Sequence, residues 1–426
     1  MSATFTIEDV ERIVKSAVGV KQGDTLAPIL FLFVMQAAFE SLLPKFEAEG
    51  IRMPEFLTKM DDVTHGRRAG STESGILRFV LPWLLYADDS GLPFTSRADL
   101  VRGARLLNEH LSRFGLVMHR GRLANDGSLQ AESKTLAMLV PARGHDPSED
   151  ETSPFTVDDE GGAVTFTDTF RYLGSVLSSD LTDDSDARQR LRSAAATMGQ
   201  LKQTLFCSKF ALKAMDDRTK GKLYEALVLG ILLYGSETWA LTTTNRQKLN
   251  KFHNSCVRYL CGARRAHKRQ HTPTMASLFA KLHVHNMDHY LNTRYIRWAG
   301  HVARMSENRL PRRMLTAWVD NPRPRGKSHY GYGHWLEKEL NAAGVITERC
   351  ALARGNVPSW MQQAQDRASW RRVNISNRMR YSSSNKVSST SRGSGNDAIA
   401  VIAPSTESAA VCTRVLRSHG RRDNIT

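Results

Sequence analysis

The chain has 426 residues, 41% of them hydrophobic and 24% charged, which is typical of a globular protein with room for two or three domains. Lysine and arginine total 59 against 43 acidic residues, and this net charge of +16 favours a polyanionic partner, nucleic acid before an anionic membrane surface. Five scattered cysteines and apolar stretches too short to span a bilayer exclude a disulfide framework and predict no membrane partner. We therefore expect an intracellular protein, in the cytoplasm, the nucleus or both.

The first elements are predicted to be helical. Thr6–Ser16 has acidic residues in its first turn and a shared apolar face, a pattern that predicts a short amphipathic helix. A loop with two glycines follows (GVKQGDTLAP), and its last residue, Pro28, opens a helix from Ile29 to Leu43. Because this second helix is apolar nearly all round, we expect it to be buried.

Two adjacent acids, Asp88 and Asp89, interrupt an apolar run in the sequence LLYADDSG. The flanking residues Leu77–Leu85 and Gly91–Phe94 predict the two strands of a β-hairpin around them. Side chains alternate across a strand, so only a turn can aim both carboxylates past its end. Such a pair suits a hard divalent cation with waters and phosphates. Taken alone, such a pair is more often a solvated turn than a metal site.

Further elements follow at regular spacing. Arg97–Phe114 predicts a helix that Gly115 ends, Lys134–Val140 predicts a strand, and Glu160–Gly162 predicts the turn of a second hairpin. From Asp183 the pattern is helical, with helices predicted near Ser185–Leu205, Asp217–Leu233 and Thr244–Cys261. The segment after Ser376 is rich in Ser, Asn and Arg, which predicts a mostly disordered tail. This order places the chain in the α+β class, with an all-helical second part.

The second part carries a basic segment. No acid lies between Glu237 and Asp288, whereas nine lysines and arginines do, with aromatic residues among them. Such a stretch suits contact with a phosphate backbone. The predicted nucleic-acid-binding residues are Arg258, Arg264, Arg265, Lys268 and Arg269.

Several motifs together resemble the reverse transcriptase of non-LTR (LINE-type) retrotransposons. The turn YADD (Tyr86–Asp89) resembles the Y-x-D-D hairpin of the palm, and the loop before the apolar helix matches G-x-x-Q-G-x-x-L-x-P at Gln22 and Gly23. The segments SKTLAML and YLG are similar to the palm strand that follows and to the primer-gripping hairpin. LYEALVLGILLYGSETWALT looks like the thumb helix, and the resemblance runs from about Val18 to Met305.

The resemblance implies an RNA-directed DNA polymerase, a nucleotidyltransferase that extends a DNA primer on an RNA template with dNTPs and Mg²⁺ or Mn²⁺. It implies that Asp88 and Asp89 are catalytic and bind the metal. The residues implied to contact nucleotide or template are Gln22, Gly23, Tyr86 and Lys134. Those implied to hold the primer are Tyr172, Leu173 and Gly174.

The resemblance also divides the chain. Residues 1–150 match a partial palm, 151–180 a primer-grip-like hairpin, 181–262 a helical thumb, 263–375 a basic helical C-terminal region, and 376–426 the tail. The palm of the family has a further aspartate on a strand upstream of the glutamine loop. About twenty residues precede Gln22, and their one aspartate, Asp9, lies in the predicted first helix. We therefore expect an N-terminally truncated enzyme that is weak or inactive alone; the alternative is a non-catalytic RNA- or DNA-binding remnant of a retroelement.

Overall fold

The structure, a computed structural model, describes residues 2–7, 10–15, 24–59, 76–124, 126, 128–141, 145–206, 214–263, 273–317, 332–346, 359–373 and 409–413. Within these ranges the chain is mixed α+β and divides into two compact units. Unit 1 comprises Met1–Glu55, Val80–Gly174 and Ala403–Thr426, and unit 2 comprises Phe56–Phe79 and Ser175–Ile402.

The strands, in chain order, are β1 (Ser2–Ile7), β2 (Val10–Lys15), β3 (Glu55–Lys59), β4 (Ile76–Val80), β5 (Leu84–Tyr86), β6 (Asp89–Phe94), β7 (Gly121–Leu123), β8 (Leu129–Ala131), β9 (Leu136–Val140), β10 (Phe155–Thr156), β11 (Gly162–Phe166), β12 (Thr169–Tyr172), β13 (Ser175–Ser178) and β14 (Ala409–Thr413). The helices are α1 (Ala27–Ala48), α2 (Arg97–Arg113), α3 (Glu149–Thr152), α4 (Asp184–Gln203), α5 (Asp217–Leu223), α6 (Thr243–Leu260), α7 (Met275–Leu282), α8 (Met287–Ala303), α9 (Leu310–Thr316), α10 (Tyr332–Ala342) and α11 (Ser359–Gln363).

The helix predicted over Thr6–Ser16 is wrong. β1 and β2 form an antiparallel hairpin there, with Ile7 opposite Val10 and Ser2 opposite Lys15. The segment is rich in threonine, valine and isoleucine, whose branched side chains favour an extended backbone. The acids that indicated a first helical turn, Glu8 and Asp9, lie outside the described residues.

Unit 1 is built on one large sheet. Its strands lie in the order β5-β6-β14-β9-β11-β7-β8, and β10 also pairs with β11. The hairpin predicted around Glu160–Gly162 is confirmed, with Phe155 opposite Val164. Two helices, α1 and α2, pack on the core of this sheet, where Phe46 meets Phe94 at 5.9 Å between ring centroids.

The helix α2 follows its sequence signals closely. Ser96 caps it by accepting a hydrogen bond from the backbone N–H of Asp99 at 3.1 Å. Gly115 follows its last turn with φ +69°, a left-handed conformation that residues with a Cβ rarely adopt, and so ends the helix as predicted.

The prediction that the apolar helix is buried is wrong for its first half. From Met35 onward α1 buries one face, including Phe39, Leu42 and Phe46. Its first two turns leave large apolar side chains in solvent, among them Phe33 at 66% exposure. Composition cannot reveal how far a neighbouring element reaches along a helix.

At 22 residues, α1 is also long and apolar enough to cross a membrane by length and composition alone, so the expectation that no segment has that length is also wrong.

Unit 2 is helical around a single core, with the short β3–β4 sheet beside it. The helices predicted near residues 185, 217 and 244 are confirmed as α4, α5 and α6. The helix α5 continues through a π-helical segment, Tyr224–Leu229, and a last α-helical turn, Gly230–Leu232. The boundary predicted at residue 263 does not separate two cores, because helices before and after it bury their apolar faces together. An example is His253 on α6, whose ring stacks on Phe279 of α7 at 5.3 Å.

The tail predicted to be disordered over 376–426 contributes one regular element. The backbone of β14 pairs antiparallel with β6 on one side and with β9 on the other. The prediction is therefore wrong for Ala409–Thr413. The composition of the tail is polar on average, but AAVCT is an apolar run of the length that a short strand needs.

Candidate active site

The YADD sequence forms the turn of a β-hairpin, as predicted. The first strand is shorter than the predicted Leu77–Leu85, because β5 spans Leu84–Tyr86 and Ile76–Val80 is a separate strand that pairs with β3. β5 and β6 are antiparallel, with Tyr86 opposite Asp89 and Leu84 opposite Gly91. Two residues, Ala87 and Asp88, connect the strands. The pair of carboxylates therefore straddles the junction of turn and strand, the one place where neighbouring side chains escape the alternation of a strand.

The turn has an unusual backbone. Ala87 has φ +52°, whereas Asp88 is not among the described residues with positive φ. Positive φ at the first central residue alone is the pattern of a type II′ turn, which normally places glycine there. An alanine in this region costs about 1–2 kcal/mol of backbone energy. The rest of the hairpin must hold the turn in this conformation.

Both carboxylates are partly exposed. Asp88 makes no hydrogen bond or ion pair with another residue in the described part of the chain. The Tyr86 side chain beside them is 65% exposed. The site is therefore an open acidic turn that a solvated ligand can reach.

Tyr172, predicted to hold a primer, lies against this hairpin. Its hydroxyl donates a hydrogen bond to the Leu84 carbonyl at 3.2 Å. Burial, and secondly the negative charge of Asp89, raise the pKa of the Tyr172 phenol. The structure thus brings together residues predicted from two motifs more than 80 positions apart. The phenol remains a hydrogen-bond donor beside the acidic turn.

Leu173 and Gly174, also predicted to hold the primer, form the two-residue turn between β12 and β13. Their φ values are +48° and +84°. Positive φ at both central residues is the pattern of a type I′ hairpin turn. Both residues are exposed. The YLG segment is therefore a hairpin tip, as its motif predicted, and the glycine supplies a conformation that side chains disfavour.

Lys134 reaches the same end of the sheet as the acidic turn. Thr413 of β14 lies opposite Gly91 on one side and Leu136 on the other. β6 and β9 therefore run in the same direction, and Asp89 and Lys134 precede these positions by two residues each. Two inter-strand spacings separate the strands by about 10 Å. Lys134 is exposed and lies just before β9, at the end of the sheet that carries the acidic turn.

Sequence reasoning missed His119. The backbone N–H of Lys134 donates a hydrogen bond to His119 Nδ1 at 3.1 Å, and the Ser133 hydroxyl donates to the His119 carbonyl at the same distance. These bonds fix the residues before β9. His119 stands inside a matched segment, FGLVMHRGR, but nothing in its local pattern distinguishes it from a solvated histidine.

The predicted loop residues Gln22 and Gly23 lie outside the described residues. The structure describes the end of that loop, where the backbone N–H of Leu26 donates to Asp24 Oδ1 at 2.9 Å. Pro28 occupies the first turn of α1, as predicted. The predicted basic residues Arg264, Arg265, Lys268 and Arg269 also lie outside the described part.

Arg258, the remaining predicted nucleic-acid contact, is half-buried on α6. Its Nη1 has no hydrogen-bond partner among the described residues. Two lysines of the same helix, Lys248 and Lys251, are exposed. Arg246 is not available for phosphate, because its guanidinium pairs with Glu339 at 2.6 Å.

His253, which the sequence places among the basic residues, belongs to the core. It is fully buried, and burial lowers its pKa to about 4. Its Nδ1 is hydrogen-bonded to the Tyr224 hydroxyl at 2.9 Å and its Nε2 to the His285 carbonyl at 2.8 Å. It is therefore a neutral core residue and not a phosphate ligand.

A magnesium ion takes carboxylate oxygens together with waters and substrate phosphates. The partly exposed pair Asp88 and Asp89 fits that donor set. Among the described residues, no group of three or more histidine, cysteine, aspartate or glutamate side chains could hold a metal ion. The hairpin therefore offers two carboxylates, without a third from the described part of the chain.

Comparison with known proteins finds one distant similarity, to a transposon-derived protein. The chain is 26% identical over 205 residues to an uncharacterized transposon-derived protein of Caenorhabditis elegans, an alignment that covers 48% of this chain and 68% of that protein. This similarity indicates a transposon origin. No protein-family model matches the chain. No solved structure matches it either.

Proposed function

We propose that the chain is the palm and thumb part of a retrotransposon reverse transcriptase, an RNA-directed DNA polymerase of the LINE type. The observation that carries the proposal is the open acidic hairpin at Asp88 and Asp89 with Tyr172 bonded to its strand. Lys134 precedes β9 at the end of the sheet that carries this hairpin. Three sequence motifs, separated by tens of residues, thus supply side chains to one edge of unit 1.

The roles follow from the chemistry of each side chain. Asp88 and Asp89 would hold Mg²⁺ or Mn²⁺, which supplies charge neutralisation at the phosphates of a dNTP when bound. Lys134 is a cation suited to the triphosphate. The exposed turn Leu173–Gly174, which follows Tyr172 in the chain, would lie against the primer strand, and Tyr86 against the nucleotide.

Two carboxylates alone are a weak clamp. Phosphoryl transfer depends on positioning and electrostatics, so the loss of one metal ligand costs on the order of a thousandfold in rate. We therefore expect the chain to bind primer–template well and to extend it poorly. Primer extension on an RNA template with Mn²⁺ and with Mg²⁺ tests this expectation.

The decisive variant is Asp88→Asn with Asp89→Asn. We expect it to abolish residual extension and to remove the Mn²⁺ dependence of dNTP binding. A matched control is Asp159→Asn with Asp168→Asn, which removes two exposed carboxylates from other turns of unit 1. Equal extension by both double variants would contradict the polymerase proposal.

The second candidate function is non-catalytic binding of RNA or DNA. It is favoured by the net charge of +16 and by the exposed Lys248 and Lys251 on α6. Changing both lysines to glutamine should lower the slope of log affinity against log salt by about two, one for each phosphate that a lysine no longer neutralises. If binding is intact and extension is undetectable in every condition, the chain acts as a binding protein alone.

A further inference from the structure

The large sheet of unit 1 depends on a strand from the far end of the chain. β14 lies between β6 and β9 and pairs with both. In the described residues, no other ladder joins the pair β5–β6 to the remaining strands. Without β14 the sheet consists of two separate pieces with a gap one strand wide.

Both walls of this gap are interior strands. Leu92 and Phe94 of β6 are at most 1% exposed, and Ala137 to Val140 of β9 are at most 6% exposed. A strand that leaves the gap exposes a row of backbone N–H and C=O groups on each wall. Unpaired edges beside buried apolar residues are unstable and prone to pair with any available strand.

The register defines what the gap accepts. The occupant is antiparallel to both walls, with Val411 opposite Pro93 and Met138 and with Thr413 opposite Gly91 and Leu136. Recognition of this kind rests on main-chain hydrogen bonds, so a short extended segment suffices. The occupant ends beside Gly91, two residues from Asp89, and so supports the strand that carries the acidic turn.

The occupant is tethered from a distance. The other residues of unit 1 end at Gly174, and the nearest described residue before β14 is Val373. A strand at the end of a long connection stays in the sheet mainly because the tether keeps its local concentration high and because it makes backbone hydrogen bonds to both neighbouring strands. An identical strand added in solution competes for the same bonds.

We propose that the gap between β6 and β9 is a strand-acceptor site that the chain fills with its own residues 409–413, and that a free strand of this sequence can replace it. The site takes one extended peptide, antiparallel to both walls. It differs from the acidic turn in chemistry and does not rest on the polymerase proposal. Filling it holds the acidic hairpin to the rest of the sheet.

Hydrogen–deuterium exchange on the full chain tests the proposal. In the wild-type chain we expect the amides of β6 and β9 to be protected. Val411→Pro removes a backbone donor from the middle of β14 and should speed their exchange at least about tenfold. Val401→Pro, the same change outside β14, should leave the exchange rate of the β6 and β9 amides unchanged. Adding a synthetic peptide of residues 405–417 to the Val411→Pro chain should restore protection, and the same peptide with proline at 411 should not.

Three results of this exchange experiment overturn the proposal. The first is rapid exchange of the β6 and β9 amides in the wild-type chain, and the second is an equal exchange rate of these amides in the two proline variants. The third is a wild-type peptide that fails to restore their protection. If the Val411→Pro chain precipitates, fluorescent peptide is incubated with the wild-type chain in urea just below the unfolding transition. Incorporation of the wild-type peptide and not of the proline peptide supports the proposal, and no incorporation of either overturns it.

Discussion

Two titratable groups in unit 2, the buried His253 and the half-buried Asp183, should give opposite dependences of stability on pH. Burial lowers the pKa of His253 to about 4 from its usual 6.5. Burial, and then the like charges of the neighbouring aspartates, raise the pKa of Asp183 to about 6 from 3.8, although the Ala240 N–H donates to its carboxylate. Each shift is worth about 3 kcal/mol between the two protonation states.

The signs follow from which state binds the proton. His253 contributes stability that is present above pH 6.5 and lost as the pH falls through 4, because only the unfolded chain is protonated in that window. Asp183 contributes stability that is present below pH 3.8 and lost as the pH rises through 6, because only the folded chain is protonated there. Between pH 4 and 6 the two contributions nearly cancel.

Conservative substitutions separate the two groups. His253→Gln should leave unit 2 with a free energy of unfolding that falls by about 2 kcal/mol from pH 4 to 6, and Asp183→Asn with one that rises by about as much. The wild-type chain should change by less than about 1 kcal/mol from this pair. Urea unfolding followed by tryptophan fluorescence reports on unit 2, because five of the six tryptophans in the described part of the chain lie there, the sixth being Trp83. Slopes in the variants that match the wild-type slope, or slopes of the opposite sign, would refute the reasoning.

Two further predictions use matched pairs of substitutions. Tyr172→Phe removes the hydroxyl bonded to the Leu84 carbonyl and should destabilise unit 1 by about 0.5–1 kcal/mol. Calorimetry should show a fall in the melting temperature of about 2–4 °C. Tyr86→Phe, which removes an exposed phenol hydroxyl, should leave the melting temperature unchanged. Gly300→Ala places a Cβ about 2 Å from the Trp370 ring and should cost about 1–3 kcal/mol in urea unfolding. Gly199→Ala, on a helix with nothing near the added Cβ, should instead stabilise unit 2 by up to about 1 kcal/mol, and equal effects at the two glycines would contradict the packing described.

Local signals predicted the elements whose stability is decided locally. Ser96 and Gly115 mark the ends of α2 because capping bonds and a left-handed residue act within a single turn. The acidic hairpin was predictable for the same reason, since a two-residue turn sets the register of its strands. The YLG motif likewise predicted a hairpin tip, and Tyr172 at its start donates a hydrogen bond to the Leu84 carbonyl in the acidic hairpin.

The elements that sequence patterns missed depend on contacts with residues outside the local sequence. The exposed first half of α1 is as apolar as the buried second half, and only the reach of its neighbours distinguishes them. In β1 and β2, acids near the start of an apolar pattern indicated a helix, but the two segments, rich in branched residues, pair as antiparallel strands. β14 has no local signal beyond five apolar or small residues, because its partners lie more than 250 positions earlier.

The placement of β14 also sets an order of events during synthesis. A ribosome that has completed Gly174 must add about 230 further residues, which takes roughly 10–50 s, before the segment that joins the two pieces of the sheet emerges. Throughout that interval β6 and β9 carry open edges while Ser175–Ile402, the larger part of unit 2, is made. A nascent chain of this protein therefore has a long window for chaperone binding or aggregation, and its first-made unit is the last to be completed.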